Sequence, residues 1–408
     1  MIENKVFEEI AEKFGTPTYV YDESEIRQSC RNFFRVFTYE PKSFVYAMKA
    51  NSNPAILEII KEEGFGIDAV SCGDIALSLR MGFKPEQIIF TGVNLAEGEV
   101  SWAVDRGVIL NIGSLSLLEK VGKKYPGLSI FVRINTGEGA GHHKGCITSS
   151  ADSKFGIWHS EIDRIQNIVQ KFNLKIIGIH YHGGSQILDG ELILNLFDIF
   201  LGSAIQFQGL EHLDFGGGFG IPYRPGEKSL DIFDLGYKIS WRFERFCVKE
   251  YGRRLTLWFE PGRYLVGKSG YLLARVTRKD IGPEDRIFIG VDTSLSHLIR
   301  PALYGSYHHI FNTSNPNGSC DIADIGGNVC ENTDRFAEQR SINKCKEGDL
   351  LVICDVGAYG FSMSSNYNNQ PKPAEVLVTV ENELKLIRPR EELLNLPDMK
   401  LAQWWKKQ

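Results

Sequence analysis

The chain has 408 residues, of which 43% are hydrophobic and 24% charged, and its formal net charge at pH 7 is -5. This length predicts two domains, or one large barrel with an appended module, and the composition is ordinary for a globular protein. The slightly acidic balance gives no reason to expect a nucleic-acid partner, so we expect a small-molecule substrate.

The first fifteen residues, MIENKVFEEIAEKFG, contain acids and no apolar run, and no later segment reaches transmembrane length. We therefore expect no secretory signal and no membrane association. The eight cysteines are scattered without close pairs, which is not the spacing of a disulfide framework or a zinc ribbon. Reduced thiols, and hence a cytoplasmic protein, are the expectation.

Short β-branched or aromatic runs alternate with helical patterns between about Phe44 and Phe259. Eight strands are predicted, at 44–47, 66–70, 88–91, 108–112, 129–134, 175–180, 212–215 and 255–259. Helices are predicted between them at 54–63, 74–81, 97–106, 115–124, 160–171, 188–207 and 233–250. Gly64, Gly82 and Gly107 end three of these helices, where left-handed C-caps are expected. The alternation predicts an α/β fold with a parallel (β/α)8 barrel over residues 21–265, although a doubly wound open sheet would alternate similarly.

After about residue 266 the pattern changes to strands without long helices between them. These strands are predicted at 271–276, 286–291, 349–356, 375–380 and 385–390. Residues 266–408 are therefore predicted to form a second, β-rich domain, with a loop at 312–318. The terminal LAQWWKKQ is predicted to form a short helix whose tryptophans pack on the body of the protein.

Lys49 follows the first predicted strand in the stretch FVYAMKANSNP. A lysine that emerges from an apolar strand is partly desolvated, which favours the free amine that forms a Schiff base; the alternative is an ordinary solvated lysine. Other polar residues and glycines follow later strands, at the edge where barrel enzymes build their sites. They are Asp68, Ser71, Thr91, Gly92, Arg133, His180, His182, Gly216, Gly217, Gly218, Glu260 and Arg263.

The triple glycine in LDFGGGFG either presents backbone N–H groups to a phosphate or makes a tight turn. It lacks dinucleotide-binding spacing, and we expect no P-loop motif (GxxxxGKS or GxxxxGKT) in the chain. We therefore expect neither an NAD enzyme nor a P-loop NTPase, and a smaller phosphate-bearing cofactor fits better. Glu260 and Arg263 in WFEPGR are either an exposed pair or partners of a ring nitrogen and a phosphate.

The segment IHYHGGSQ places His180 and His182 two residues apart, as in some metal-dependent barrel hydrolases. Acidic partners do not cluster near them in the sequence, so we expect no metal. A structural role for His180 is the preferred alternative. Stacking of His182 on a flat cofactor ring, with Ser185 reaching a phosphate, accounts for the adjacent glycines.

A series of motifs runs in one order from PTYVYDES (17–24) to PAEVLV (373–378). They are YAMKANSNPAIL, GIDAVSCGDI, SKFGI, HYHGGSQ, LDFGGGFG, EPGRYLV, LIRPALYGSYH, CENTD and GAYGFSMSSNYN. In this series the chain resembles the fold type III pyridoxal-phosphate-dependent decarboxylases, whose barrel is like that of alanine racemase, and among them most closely the diaminopimelate decarboxylases.

The resemblance implies that pyridoxal 5'-phosphate is the cofactor. Lys49 would hold its aldehyde, His182 would stack on its ring, and Glu260 would keep the ring nitrogen protonated. The implied cofactor-binding residues are Lys49, Asp68, His182, Ser185, Gly217, Gly218, Glu260, Arg263 and Tyr359. The implied substrate-binding residues are Arg263, Arg300, Tyr304, Glu331 and Tyr359.

The resemblance also implies that Cys330 protonates the substrate carbanion, whereas residue type alone would make it a small buried hydrophobe. Cys330 and Glu331 would reach the neighbouring subunit of a homodimer, and residues 1–20 would join the β-rich domain. Two departures concern the loop that carries this pair. Asn328 replaces a proline that is usual in the family, and Thr333 in CENTD stands where glycine is common.

Decarboxylation of meso-2,6-diaminopimelate to L-lysine and carbon dioxide, the last step of lysine biosynthesis, is the activity that the resemblance implies. One alternative is a relative that acts on ornithine, arginine or carboxynorspermidine. Arg300 argues against it, since an arginine favours a substrate with a distal carboxylate. A second alternative is a non-catalytic homologue that binds the cofactor.

Overall fold

A computed structural model of the chain describes residues 2–393. Its strands are β1 (Thr18–Asp22), β2 (Lys42–Ala47), β3 (Gly66–Ala69), β4 (Ile88–Phe90), β5 (Ile109–Ile112), β6 (Ser129–Asn135), β7 (Ile157–Trp158), β8 (Lys175–His180), β9 (His212–Asp214), β10 (Thr256–Phe259), β11 (Gly270–Ile281), β12 (Ile287–Val291), β13 (Ile310–Asn312), β14 (Cys320–Gly326), β15 (Arg335–Asn343), β16 (Leu350–Cys354), β17 (Ala374–Val378) and β18 (Leu384–Arg388). The predicted terminal helix in LAQWWKKQ lies outside the described residues.

The α-helices are α1 (Asn4–Phe14), α2 (Glu23–Val36), α3 (Pro54–Glu62), α4 (Cys72–Arg80), α5 (Glu97–Val104), α6 (Leu115–Lys124), α7 (Ile162–Phe172), α8 (Gly190–Ala204), α9 (Ile232–Phe246), α10 (Arg263–Val266) and α11 (Arg300–Tyr304). Across residues 2–393, no helix combines the length and the apolar character needed to cross a membrane. The chain divides into two compact units. The barrel unit comprises Arg27–Pro222 and Lys228–Leu265, and the β unit comprises the described residues up to Ile26, Tyr223–Glu227 and those from Val266 onward.

The barrel unit contains a closed parallel barrel. Its strands pair in the order β5, β4, β3, β2, β10, β9, β8 and β6, and a further pairing of β5 with β6 completes the ring. This closure confirms the predicted (β/α)8 barrel and excludes the open sheet. β7 extends the sheet from β6, outside the ring.

The eight predicted barrel strands and seven predicted helices are all present, with shifts of a few residues at their ends. The largest shift is at the end of α9, because a π-helical turn, Cys247–Tyr251, continues the helix. Gly64, Gly82 and Gly107 have φ values of +86°, +80° and +71°, as expected for left-handed C-caps.

Apolar packing holds the barrel unit together on both sides of the sheet. Val45, Ile89, Phe131 and Trp258 form one buried cluster, and each comes from a different barrel strand. A second, aromatic cluster joins Phe33 of α2 to strand residues, and its members are Phe33, Phe37, Phe44, Phe219 and Phe259. This packing fixes the strands, and therefore fixes the side chains that follow their carboxyl ends.

The β unit contains a nine-stranded mixed sheet in the described part of the chain. The long strand β11 pairs with β1, β12 and β16, and β1 also pairs in parallel with β17. Helix α1 buries Phe7 and Ile10 against this sheet, in a core that includes Val20, Leu273 and Val352. Strands β13, β14 and β15 were not predicted, because their sequences mix polar and small residues without clear alternation.

Candidate active site at the carboxyl ends of the barrel strands

Lys49 lies in a short 3-10 turn, Met48–Ala50, directly after β2. The strand is buried up to Ala47, and the turn leaves the Lys49 side chain 38% exposed, which is a partial desolvation. Its Nζ pairs with Oδ2 of Asp68 at 2.6 Å, and Asp68 is fully buried at the end of the neighbouring strand β3. The pairing therefore orients the Lys49 amine.

His180, Asp214 and Glu260 form a buried cluster deeper in the barrel. They come from the carboxyl ends of adjacent strands, since His180 ends β8, Asp214 ends β9 and Glu260 follows β10. His180 Nε2 donates a hydrogen bond to Glu260 Oε2 at 3.1 Å, and the Gly216 N–H donates to Asp214 Oδ1 at 2.8 Å. Barrel closure therefore brings together acids that are far apart in the sequence.

Burial controls the protonation of this cluster. It lowers the pKa of His180 well below its ordinary value, and the nearby Arg133 cation acts in the same direction, so the imidazole is neutral. Burial and the Glu260 carboxylate raise the pKa of Asp214 well above its ordinary range. Burial also raises the pKa of Glu260, but Lys49 and Arg133 oppose this effect. Of the two acids, Asp214 is therefore the more easily protonated, and Glu260 is the one whose charge the neighbouring cations favour.

The buried cluster bears on the alternative in which His180 and His182 bind a metal. His180, Asp214 and Glu260 offer ligand atoms within 4.8 Å of one another, so the expectation that His180 lacks acidic partners is wrong. His182 is not part of this group, because its Nδ1 accepts the Gly217 N–H at 3.1 Å. The two histidines therefore do not act as a pair, and each needs its own chemical explanation.

His182 is held as a neutral, oriented ring. Burial lowers the pKa of His182 well below its ordinary value, with Arg133 the next cause, and the Gly217 contact leaves the proton on Nε2. Gly216 has a φ of +74°, and a Cβ there would lie 2.5 Å from the Tyr181 carbonyl oxygen. At Gly217 a Cβ would lie 2.3 Å from the Glu260 carbonyl oxygen. Only glycine fits this turn.

Arg263 and Ser185 lie together, with Arg263 Nη2 donating to Ser185 Oγ at 3.0 Å. Arg263 and Glu260 are 6% and 5% exposed, so the predicted alternative of an exposed ion pair is wrong. A buried arginine beside a hydroxyl and a glycine-rich turn is a suitable set of donors for a phosphate group.

Contrary to our expectation, the segment GRYLVGKS (262–269) has the residue spacing of a P-loop. A working P-loop follows a strand and places its Lys-Ser pair at the start of a helix. Here α10 (Arg263–Val266) occupies the middle of the segment, and Lys268 and Ser269 lie in the turn before β11. The segment therefore lacks the local structure of a P-loop.

These residues fit a cofactor with an aldehyde, a protonatable ring nitrogen and a phosphate. Lys49 offers an amine at the barrel mouth, and the buried Oε1 of Glu260 accepts no hydrogen bond from the described residues. A buried carboxylate oxygen of this kind suits a cationic ring nitrogen. Arg263, Ser185 and the backbone around Gly217 and Gly218 supply the anion-binding end.

Five predicted site residues lie in the β unit. Arg300 begins α11 and is only 2% exposed; its guanidinium donates to His308 and Ser306 and lies over the Tyr223 ring, 5.3 Å from the centroid. Tyr304 ends the same short helix. Tyr359 has a φ of +58°, which is unusual for a tyrosine; strained backbone of this kind recurs at functional sites.

Cys330 and Glu331 are both exposed, so the residue-type expectation of a buried Cys330 is wrong. Asn368 Nδ2 lies 3.2 Å from Cys330 Sγ, and the Tyr367 hydroxyl donates to Glu331 Oε1 at 2.6 Å. Asn368 and Tyr367 therefore orient Cys330 and Glu331 at the protein surface.

The loop that carries Cys330 is anchored by backbone hydrogen bonds. The Asn328 N–H donates to the Thr293 carbonyl at 3.1 Å, a bond that proline could not make at this position. The buried Asp334 accepts the Val329 N–H, and the Asp334 N–H donates to the Glu331 carbonyl at 3.0 Å. Asn328 thus anchors the loop through a backbone hydrogen bond, whereas the proline usual in the family would restrict the loop through its fixed φ.

Sequence reasoning missed Asp214, because HLDF was interpreted only as a strand. A polar residue inside an apolar strand is the signal that identifies it, and Asn111 in VILNI is a second example. Ser71, by contrast, has an ordinary structural explanation. Its Oγ accepts the Asp74 N–H and caps α4.

Comparison with known proteins agrees with this chemistry. The family profile "Pyridoxal-dependent decarboxylase, pyridoxal binding domain" matches residues 23–267. A diaminopimelate decarboxylase of Methanothermobacter thermautotrophicus is 44% identical over 399 residues, covering 95% of this chain and 92% of that protein. One from Escherichia coli K12 is 35% identical over 406 residues, covering 94% of each.

A solved structure extends the similarity to the whole fold. The diaminopimelate decarboxylase of Helicobacter pylori, crystallised with L-lysine, has a TM-score of 0.86 and 30% identity. The match covers 98% of this chain and 100% of that one. The chain therefore belongs to the pyridoxal-dependent decarboxylases and, within them, to the diaminopimelate decarboxylase family.

Proposed function

We propose that this enzyme decarboxylates meso-2,6-diaminopimelate to L-lysine and carbon dioxide, with pyridoxal 5'-phosphate as cofactor, as the last step of lysine biosynthesis. The observation that carries the proposal is the similarity over almost the full length to diaminopimelate decarboxylases, including one crystallised with L-lysine, the expected product. Arg300 supports the same substrate, since a buried arginine is suited to a distal carboxylate.

In this proposal the barrel residues bind and orient the cofactor. Lys49 Nζ would hold the aldehyde carbon and Asp68 would position that amine, while the neutral His182 ring would lie against the cofactor ring. Ser185, Gly217, Gly218, Arg263 and Tyr359 bind the phosphate. When bound, the cofactor supplies an electron sink for the pair of electrons released as carbon dioxide departs. The Glu260 carboxylate holds a proton on the ring nitrogen, so that this sink stays cationic.

The remaining residues act on the substrate. Arg300 and Tyr304 bind the distal carboxylate, with Arg263 and Tyr359 completing the substrate contacts. Glu331 binds the distal ammonium group, and the Cys330 thiol delivers a proton to the α-carbon after carbon dioxide has left. A positioned acid of this kind contributes about 10²-fold or more to a rate.

Direct product analysis tests the proposal. Purified enzyme loaded with pyridoxal phosphate is incubated with meso-diaminopimelate, ornithine, arginine or carboxynorspermidine, and the products are identified by mass spectrometry. Lysine from diaminopimelate alone is the expected result, and Lys49→Ala is the inactive control. Turnover of another amine would show that the substrate contacts proposed for Arg300 and Glu331 are wrong. No turnover with any substrate would favour the non-catalytic homologue.

We further propose a homodimer in which Cys330 and Glu331 serve the site of the neighbouring subunit. The exposure of both residues supports this arrangement, because a proton donor needs a site that excludes water. Mixing Lys49→Ala and Cys330→Ala enzymes tests it. Each variant alone should be at least about 10²-fold less active than the parent, and random subunit exchange should restore about a quarter of the intact sites. If the mixture stays inactive although exchange is demonstrated, the shared site is refuted.

A cytoplasmic location is proposed as well, and the eight free thiols of the structure are consistent with a reducing compartment. For the domains we propose residues 21–265 as the barrel and 266–408 as the β-rich domain, which residues 1–20 join. The pairing of β1 with β11 and β17 supports the last assignment.

A further inference from the structure

Helix α9 is apolar on two opposite sides. Its inner side buries Leu235 and Ile239. On its outer side Phe233, Tyr237 and Trp241 recur at intervals of four residues, and they are 59%, 63% and 57% exposed. A surface helix ordinarily has one apolar stripe, because its other side faces water. The described residues therefore leave a second apolar stripe of α9 uncovered, and the functions proposed above do not use it.

The exposed stripe belongs to a larger surface that includes helix α8. Two ion pairs join the helices, Lys238 with Glu191 at 3.0 Å and Arg242 with Asp198. Exposed apolar side chains come from both helices and from the π-helical turn that follows α9. We call this surface the α8–α9 face, and its apolar members are Leu192, Ile199, Phe233, Tyr237, Trp241 and Val248. Single exposed apolar residues are normal on a protein, whereas a group of this kind marks an interaction site.

The area of the face is sufficient for a contact between two copies of the chain. A Phe, Tyr or Trp side chain offers about 150–250 Å², so three that are more than half exposed present roughly 350 Å² on each copy. Two copies would then bury roughly 700 Å² of aromatic surface, nearly half of a standard interface of about 1,600 Å². The aliphatic members and the polar rim add to this area. Tyr and Trp are also the residue types that most often dominate the binding energy of an interface.

The charges at the two ends of the face are of opposite sign. The N-terminal ends of α8 and α9 carry the acids Asp189, Glu191, Asp231 and Asp234. Lys238 pairs with two of them and offsets part of this charge. At the other end the cations outnumber the acids; the cations are Arg242, Arg245, Lys249, Arg253 and Arg254, and the acids are Asp198, Glu244 and Glu250. Arg245 forms no ion pair with the described residues and lies over the Trp241 ring, 5.8 Å from its centroid.

An antiparallel arrangement of two such faces brings opposite charges together. Asp231 and Arg245 lie seven residues on either side of Lys238, so a two-fold axis at this level places Asp231 of one copy opposite Arg245 of the other. The positive N-terminal end of each α9 then lies beside the negative C-terminal end of its mate. An isologous contact requires self-complementarity of this kind, which identifies the partner as a second copy.

We propose that the α8–α9 face binds the same face of a second copy around a two-fold axis, so that the homodimers proposed above pair into tetramers. Tyr237 and Trp241 lie at the centre of the contact, where they exclude water, and Arg245 of each copy pairs with Asp231 of the other. The tetramer rests on the proposed homodimer, whereas the contact between the two faces rests neither on it nor on the proposed activity.

Light scattering of the cofactor-loaded enzyme after size-exclusion chromatography tests the contact. We expect the parent to be a tetramer, and Trp241→Glu, which places a charge at the centre of the face, to be a dimer with unchanged turnover per site. Ile281→Glu is the control, because it adds the same charge at a residue of the β unit that is 68% exposed, and it should stay tetrameric. A parent smaller than a tetramer, or equal effects of the two substitutions, would overturn the proposal. A monomeric, inactive Trp241→Glu would show that the face belongs to the catalytic dimer, which would also overturn it.

A crosslink tests the two-fold axis without adding charge to the face. In a chain whose exposed Cys320 and Cys330 are replaced by serine, a short bismaleimide should join Tyr237→Cys to a second copy. Lys123→Cys places a thiol at a comparably exposed position on α6, outside the face, and should not be joined. No linked pair with Tyr237→Cys, or equal linking of the two variants, would refute the contact. Because assembly is measured directly, neither result depends on which amino acid the enzyme decarboxylates.

Discussion

Replacing Asp214 by asparagine tests the assignment of protons in the buried cluster. The structure indicates that Asp214 is protonated at neutral pH, because burial and the adjacent Glu260 carboxylate both raise its pKa. Asparagine is neutral and nearly isosteric, so it reproduces the protonated state and can still accept the Gly216 N–H. We therefore expect Asp214→Asn to keep the fold and the cofactor, with little change in stability.

If Asp214 were charged, the asparagine substitution would cause a large change in stability. The relevant atoms of Asp214 and Glu260 lie within 4.8 Å of each other. Two negative charges at that distance repel by about 3 kcal/mol at an effective dielectric constant of about 20. If Asp214 were charged, removing its charge would stabilise the cofactor-free protein by a comparable amount. With a protonated Asp214, we expect a change of less than about 1 kcal/mol.

Infrared difference spectroscopy and thermal unfolding decide between the two assignments. Asp214→Asn should remove the carbonyl band of a protonated carboxylic acid, and its unfolding midpoint should stay within about 2 °C of the parent. Glu260→Gln is the companion variant, which removes the charged member instead and should lower activity without removing that carbonyl band. An unchanged band in Asp214→Asn, together with a clearly raised midpoint, would refute the protonated Asp214.

Three further predictions concern single side chains of the barrel unit and the β unit. Ser185→Ala removes the hydroxyl beside Arg263, so cofactor dissociation measured by fluorescence should show about tenfold weaker binding, with Ser203→Ala unaffected. Cys330→Ser should lower kcat about 10²-fold without loss of cofactor, and the exposed Cys320→Ser should not. Burial lowers the pKa of His297 to about 4. Between about pH 4 and 6.5 the unfolded chain therefore binds one proton more than the folded chain. Stability consequently rises with pH through that window. The unfolding midpoint of His297→Gln should therefore depend less on pH there, unlike that of the exposed His159→Gln.

The barrel could be predicted because its determinants are local. Apolar runs of four to six residues alternate with helices, three of which end at glycines such as Gly64, and the structure has the same alternation. In the β unit β13, β14 and β15 could not be predicted, because partners distant in the chain stabilise them. β14, for example, pairs with both β12 and β15 despite its mixed sequence CDIADIG.

The site could be predicted as a set of residue types but not as a set of contacts. Lys49, His182 and Arg263 stand out by motif, whereas the pairing of Lys49 with Asp68 depends on β2 and β3 being neighbours. The same reasoning applies to His180 and Asp214, which face each other in the register of β8 and β9. The motifs therefore do not predict these contacts, because the contacts depend on the order of the strands in the closed barrel.

Arg133 is the second cation of the catalytic cluster. Its cation is opposed by burial and supported by the carboxylates of Glu260 and Asp68. With Asp214 protonated, the negative charges of Asp68 and Glu260 are balanced by Lys49 and Arg133, so these four groups together carry no net charge.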